Sequence, residues 1–379
     1  MMKTQAAAML EAGNDWEIVE LDLQEPRAGE VLVEFTHAGL CFSDEHLRHG
    51  GLGDIPVIGG HEGAGIVRGL GDGVTSVQLG DHVAASFIPT CGKCYWCSSG
   101  RANLCAEAAN SPGQADPDSF RFSLDGEAIP ANCGLGTFAR YAVVSENSLI
   151  RVDPEIPLAA VAVASCGVLT GWGAAVHAAK VQPGSVVLVL GAGGVGVNAI
   201  QGAKLAGARE IVIVDTNPTK LEFAEQFGAT RLFTSMDDAK AFLLEANPEV
   251  AGADYVIVAT GNTTAGIVGA AYDVLGTRGT LVLAGMSQDV NDKNVQLPGT
   301  QMIFREQTVK GTIYGSCNPR RDVPMIMDLY QRGLIKLDEL VSQTYTLEDI
   351  EQGFSDLKSG VNLRGVVEHA PIEAQRAES

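Results

Sequence analysis

Positive charge is scarce in this chain. Its 379 residues include 26 Lys and Arg against 46 Asp and Glu, a formal net charge of −20 at pH 7. So acidic a chain is a poor partner for nucleic acid or an anionic membrane, and neither is expected. No apolar run approaches the length of a membrane span, and the opening Met1-Met2-Lys3-Thr4-Gln5 starts no signal-peptide core. A cytoplasmic protein is therefore expected. Without a secretory signal, the eight cysteines point to metal or thiol chemistry and not to a disulfide framework. What remains is an ordinary globular balance, 46% hydrophobic and 19% charged, in a chain long enough for two domains.

Glycine is abundant, 45 residues in all, so a glycine motif needs context before it carries weight. One has it. Val186-Val187-Leu188-Val189-Leu190 runs straight into Gly191-Ala192-Gly193-Gly194-Val195-Gly196. A short apolar run ended by glycine reads as a strand buried on both faces of a parallel sheet. Gly191, Gly193 and Gly196 match G-x-G-x-x-G, with Gly194 and Val195 in the same turn. The glycines permit a sharp turn, close approach to a pyrophosphate, and close packing of the next helix. Residues 197–208 lack proline, are rich in Ala, and read as that helix, whose N-terminal N–H groups hold phosphates. A second apolar run ends at Asp215, about 20 residues on, where a carboxylate takes the ribose hydroxyls of NAD. The competing reading is a glycine-rich turn and a helix-capping Asp. No arginine follows in Thr216-Asn217-Pro218, so NAD is expected over NADP.

Around that motif the pattern changes twice. Residues 1 to 165 hold short strands between glycine-rich turns, such as residues 31–38 with Val31, Val33 and Phe35 alternating against Leu32, Glu34 and Thr36. From residue 168 to 314 apolar runs at 186–190, 211–214, 255–260 and 281–284 alternate with helical stretches, which predicts a parallel sheet with helices on both faces. Asn217, Pro218 and Gly228 mark the start and end of one of those helices. Helical segments return at 321–332 and 347–359, and residues 371–379 are expected to fray. The division expected is 1–167, 168–315 and 316–379, the last returning to the first.

Cys91-Gly92-Lys93-Cys94-Tyr95-Trp96-Cys97 is closed by Cys105. Four thiolates at this spacing can wrap one tetrahedral Zn²⁺ and leave no open coordination position, so the site reads as structural. Iron–sulfur cysteines usually show other spacings and a following proline, whereas Ala106 follows Cys105. An iron–sulfur cluster and unmetallated thiols are the alternatives. Three further groups are scattered: Cys41 and His46 in Gly39-Leu40-Cys41-Phe42-Ser43-Asp44-Glu45-His46, His61 and Glu62 after Gly59-Gly60, and Cys166 in Ser165-Cys166-Gly167. None is diagnostic alone, since a lone Cys is usually a small buried hydrophobe.

Together, Cys-x-Ser-x-x-His, Gly-His-Glu, the four-cysteine cluster and a Cys-Gly before G-x-G-x-x-G resemble the zinc-dependent medium-chain alcohol dehydrogenases, from about Lys3 to His369. The resemblance implies an α/β protein: a β-rich GroES-like catalytic domain with an inserted Rossmann domain, a doubly wound parallel sheet. It implies two Zn²⁺ per chain and NAD. Cys41, His61 and Cys166 would hold the catalytic zinc, a Cys₂His set established for alcohol dehydrogenases that leaves one position for alcohol or water. Ser43 would pass on the alcohol proton and His46 would end that relay. Glu62 would lie beside the metal and Thr170 against the nicotinamide. Lys220 would contact the adenosine ribose, Arg364 the pyrophosphate, and Ile313 the coenzyme. By family position Phe87, Asn132, Cys133, Met286 and Ile313 would line a pocket for an apolar primary or secondary alcohol, or its carbonyl product. One methylene changes binding by only about 1–3 kcal/mol, so the pocket residues do not choose among such alcohols.

Two departures stand out. Phe42 occupies a position where Arg or His often binds pyrophosphate, and no arginine near Cys105 supports a glutathione-linked substrate. Residues 120–122, 134–138, 166–173 and Asn318-Pro319-Arg320 resemble more closely the actinobacterial alcohol dehydrogenases assayed with N,N-dimethyl-4-nitrosoaniline. That likeness implies a nicotinoprotein, holding NAD tightly and passing electrons to an external acceptor such as the redox peptide mycofactocin. An ordinary enzyme that releases NADH, a zinc-free reductase and a catalytically retired dinucleotide-binding protein are the competing readings. A homodimer or homotetramer is expected through residues 307–314, whose strand edge would otherwise invite unwanted pairing.

Overall fold

A computed structural model describes residues 1–110, 116–289, 291, 293 and 295–369; the expected fraying of residues 371–379 lies outside them. The chain divides into two compact units, Met1–Cys166 with Asn318–Ser379, and Gly167–Cys317.

In the first unit the strand Glu30–Gly39 is the spine. It pairs antiparallel with Gly63–Leu70, Tyr141–Ser145 and Arg364–Glu368. The sheet continues to His82–Ala85 and Leu149–Arg151 on one side and to Val341–Tyr345 on the other. Neighbours on both edges explain why the strand departs from the expected in–out alternation. Glu34, on the face opposite Val33 and Phe35, is buried, its carboxylate held 2.7 Å from both Arg68 and Arg140. A second sheet runs Val57–Ile58, Met2–Met9, Glu17–Leu23, Phe122–Leu124, Glu127–Ile129. Leu21, Leu23, Val33, Phe35 and Ile58 belong to one buried apolar cluster. A further cluster is built on Trp16, whose ring centroid lies 5.5 Å from that of Phe138 and 5.8 Å from that of Phe354.

The second unit is a six-stranded parallel sheet. Its order is Arg231–Phe233, Glu210–Val214, Val186–Leu190, Ala253–Val258, Leu275–Leu283, Thr308–Gly311. In chain order that is 3-2-1-4-5-6, the doubly wound dinucleotide-binding arrangement, whose strand order reverses beside Val186–Leu190. The α/β reading therefore holds. The helix after the glycine turn spans Gly194–Leu205, three residues earlier than expected. Its first-turn N–H groups need no intrahelical partner, so glycines serve there without loss of a bond. Asn217, Pro218 and Gly228 cap the helix Pro218–Phe227 as expected.

One helical stretch, Leu158–Ala179, corrects the reading of apolar runs: at 22 residues it is long and apolar enough to cross a membrane. Yet 89% of its most apolar window is buried inside the protein, as in a core helix.

Candidate active site

Cys41 ends the extended chain after Glu30–Gly39 and caps the helix Phe42–Arg48. Asp44, in that helix's first turn, is fully buried, and its Oδ1 lies 3.1 Å from Nδ1 of His61. A carboxylate only accepts when ionised, so Nδ1 carries a proton, and in the neutral imidazole the lone pair is on Nε2. That Nε2 is buried with no hydrogen-bond partner. Such a carboxylate–imidazole pair fixes tautomer and ring orientation as metal-ligating histidines require.

Cys166 arrives from far along the chain, in a π-helical stretch, Ala164–Val168. Ser165 Oγ donates to the Ala162 carbonyl at 2.7 Å and accepts from the Gly63 N–H at 3.2 Å, stapling this wide turn beside His61 and Glu62. The ligand atoms of Cys41, His61, Glu62 and Cys166 lie within 4.8 Å of one another, all buried. Glu62 forms an ion pair with Arg364, and both are buried. A side chain at Gly39 would strike the Glu62 carboxylate, so only glycine leaves room for it.

The electrostatics follow from this crowding. The neighbouring Cys166 thiol, and after it His61, hold the Cys41 thiol well below its usual range. Burial opposes the charged form of His61, but Asp44 and Cys41 outweigh it and raise the imidazole. Burial lifts Glu62 to about 7 against the pull of Arg364. Two neighbouring buried thiols and an imidazole whose Nε2 is buried without a hydrogen-bond partner are a donor set that fits Zn²⁺, the metal taking the place of the protons they give up.

Cys91, Cys94, Cys97 and Cys105 also bring their sulfurs within 4.8 Å of one another. Backbone N–H groups of Cys97 and Ala106 each reach the Cys94 sulfur at 3.5 Å. Those of Ala106 and then Cys97 lower Cys94 to about 6, while burial pushes Cys97 up to about 12. The donor set fits one fully thiolate-ligated Zn²⁺.

In the second unit the three motif glycines divide the work. Gly191 takes φ +95°. A Cβ on Gly196 would strike the Gly191 carbonyl oxygen, whereas one on Gly193 would meet nothing within 4 Å, leaving that face open to a ligand. Gly194 and Val195 open the helix that follows. Asp215 accepts from Ala192 N–H and Asn217 N–H, each at 2.8 Å. Lys220 is half-buried on the next helix. Thr170 is buried, whereas Met286 and Ile313 are exposed.

Other expected residues of the first unit gather less tightly. Ser43 Oγ lies 3.6 Å from Cys41 Sγ. His46 is buried, its ring 6.0 Å from that of Phe42. Phe87 sits edge-on to the His61 ring at 5.8 Å. Cys133 takes φ +56°, and burial lifts its thiol to about 11. Arg364, expected at a pyrophosphate, has its guanidinium on Glu62. The Asn132 amide, expected in the pocket wall, donates to Asp44 Oδ1 at 3.2 Å. Sequence reading missed Asp44 and Ser165; a carboxylate in the first turn after a candidate ligand was the available signal for the first.

The alcohol dehydrogenase GroES-like domain matches residues 27–154 and the zinc-binding dehydrogenase domain residues 194–332. The chain is 45% identical to putative alcohol dehydrogenase D of Mycobacterium tuberculosis over 97% of its length and 100% of that protein. It is 44% identical to the NDMA-dependent alcohol dehydrogenase of Amycolatopsis methanolica over 97% of this chain and 100% of that one. Benzyl alcohol dehydrogenase from Acinetobacter calcoaceticus, a solved structure, superposes with a TM-score of 0.89 at 31% identity, covering 98% of this chain and 100% of that one.

Proposed function

Starting from a chain that belongs to the zinc-dependent medium-chain alcohol dehydrogenases, we propose that it oxidises apolar primary or secondary alcohols to carbonyls with NAD held as a resident group. The observation that carries the chemistry is the buried Cys41–His61–Cys166 set, with His61 Nδ1 held by Asp44 and Nε2 unpartnered. Zinc bound there supplies positive charge that lowers the pKa of an alcohol hydroxyl. Ser43, close to Cys41, takes the hydroxyl proton, and His46, one turn along the same helix face, carries it outward. NAD⁺, when bound, would supply the acceptor for the hydride that the alcohol carbon loses as it becomes a carbonyl. In the second unit the Gly191–Gly196 turn would hold the pyrophosphate of NAD⁺, Asp215 and Lys220 its adenosine ribose, and Thr170 and Ile313 its nicotinamide side. Phe87, edge-on to His61, supplies an apolar wall in the first unit, with Cys133 as a further pocket residue there.

Likeness to the NDMA-dependent enzyme favours the resident coenzyme, with a mycofactocin-type carrier taking the electrons. Purified protein is to be mixed with alcohol and a dye acceptor without added NAD⁺. Sustained dye reduction is expected; rapid NADH formation from added NAD⁺, with no dye turnover in its absence, would leave an ordinary alcohol dehydrogenase. None of the eight cysteines is disulfide-bonded, which accords with the reducing cytoplasm proposed as the protein's location. A homodimer, alone or doubled to a tetramer, is proposed through Thr308–Gly311, the last strand of its sheet, beside a helix that exposes Ile303 and Phe304.

A further inference from the structure

We propose that Asn132 is a positioning residue for His61, acting through Asp44; this rests on the reading that Cys41, His61 and Cys166 hold the catalytic zinc. A fully buried carboxylate is costly unless its charge is paired and its oxygens are hydrogen-bonded. Among the described residues, no Lys or Arg forms an ion pair with Asp44. Its Oδ1 is shared by two donors, His61 Nδ1 at 3.1 Å and Asn132 Nδ2 at 3.2 Å. Because the carboxylate only accepts, the amide must turn its NH₂ to Asp44, which leaves Asn132 Oδ1 to accept from the Cys133 thiol at 3.4 Å. Asn132 thus fixes the carboxylate plane without cancelling its charge, and Asp44 in turn aims the imidazole.

The backbone supports this assignment. Cys133, Gly134 and Gly136 have φ of +56°, +66° and +60°. Such a conformation at a non-glycine residue persists only where its surroundings over-determine it. Here the Asn132 carbonyl accepts from the N–H groups of Leu135 and Gly136 at 3.0 and 3.2 Å. The following Thr137 and Phe138 N–H groups donate to the carbonyls of Gly60 and Gly59 at 3.2 and 3.1 Å. The turn that carries Asn132 is therefore tied, main chain to main chain, to the residues just before His61. A side chain held this way has one task set by geometry, the shared oxygen of Asp44, and not the adaptable wall of a substrate pocket.

The test uses the purified holoenzyme and Asn132→Leu, which keeps the branched shape and removes the donor. Release of zinc to a chelator is followed beside alcohol oxidation. Asn132→Leu should keep the four-cysteine zinc and lose the active-site zinc about tenfold faster, the low end of what outer-shell changes cost. Its kcat/KM should fall in the same proportion for small and bulky alcohols. In an Asp44→Asn background the substitution should add little, because the two act on one bond. Wild-type zinc release, an unchanged effect in the Asp44→Asn background, or an altered ratio between small and bulky alcohols would overturn the proposal. If Asn132→Leu does not fold, Asn132→Asp supplies the same readouts, with a larger loss expected from two facing carboxylates. A wild-type protein with a single zinc would instead sink the underlying metal reading before Asn132 is touched.

Discussion

His369 is a neutral imidazole walled into the first unit. Burial lowers it to about 4 from an ordinary 6.5, and its Nε2 donates to the Thr137 carbonyl at 3.0 Å. As pH falls, the unfolded chain takes up this proton first. Stability is therefore complete above about 6.5 and drains away down to about 4, by about 3 kcal/mol in all. His369→Gln keeps a donor without the titration, so its urea midpoint should change less between pH 7 and pH 4.5 than that of wild type. The two proposed metal sites separate in the same residue-by-residue way. Cys41→Ser should abolish alcohol oxidation while leaving the melting temperature near wild type. Cys94→Ser should remove one zinc and lower the melting temperature, because a closed thiolate site contributes folding energy directly. Metal analysis beside thermal melts reads both. Cys41, His61 and Cys166 were nameable through the family resemblance that their motifs carry together. The contact between Asp44 and the Asn132 amide was not, because a buried hydrogen bond between residues 44 and 132 has no local sequence signature.

At the scale of elements, the strand–glycine–helix unit was legible because all its causes are local: an apolar run, a turn only glycine can make, and an uncapped helix start. Its internal division of labour gives a paired prediction. Gly193→Ala should fold with stability within about 0.5 kcal/mol of wild type, since its Cβ meets nothing within 4 Å, yet weaken coenzyme binding or retention. Gly196→Ala should lower the melting temperature itself, because its Cβ collides with the Gly191 carbonyl. Thermal melts beside bound-nucleotide content distinguish the two. The π-helical turn at Ala164–Val168 was not legible. Its residues are ordinary helix formers by composition, and it is the Ser165 bond to the Gly63 N–H, about a hundred residues away in the chain, that accompanies the wide turn.

For the whole molecule the proposed dimer makes the sharpest claim. Ile303 is 75% exposed and Phe304 83%, on the helix Gly299–Arg305 that leads to the edge strand Thr308–Gly311. Large apolar side chains this exposed beside an open edge are a liability unless covered. Replacing both with Asp should shift the mass in sedimentation at micromolar concentration from dimer to monomer while near-native helicity is kept. A wild-type monomer under those conditions would remove the proposal.

The sequence by itself determined the doubly wound sheet, the glycine turn with its acidic partner and the four-cysteine cluster. The turn and the cluster are written in spacing over a few dozen residues at most, which backbone geometry sets, and the sheet in a repeated strand–helix alternation; the three dispersed donors, Cys41, His61 and Cys166, span more than a hundred residues and were named through family resemblance. Tertiary structure alone decided what surrounds those donors. The strand Arg364–Glu368 pairs with Glu30–Gly39, which brings Arg364 onto Glu62 across roughly three hundred residues of chain. The helix Phe42–Arg48 delivers Asp44 to His61, and the turn at Asn132 delivers its amide to Asp44. These contacts join groups whose separation along the chain carries no periodicity, and only the packing of strands and turns around a shared core makes them neighbours.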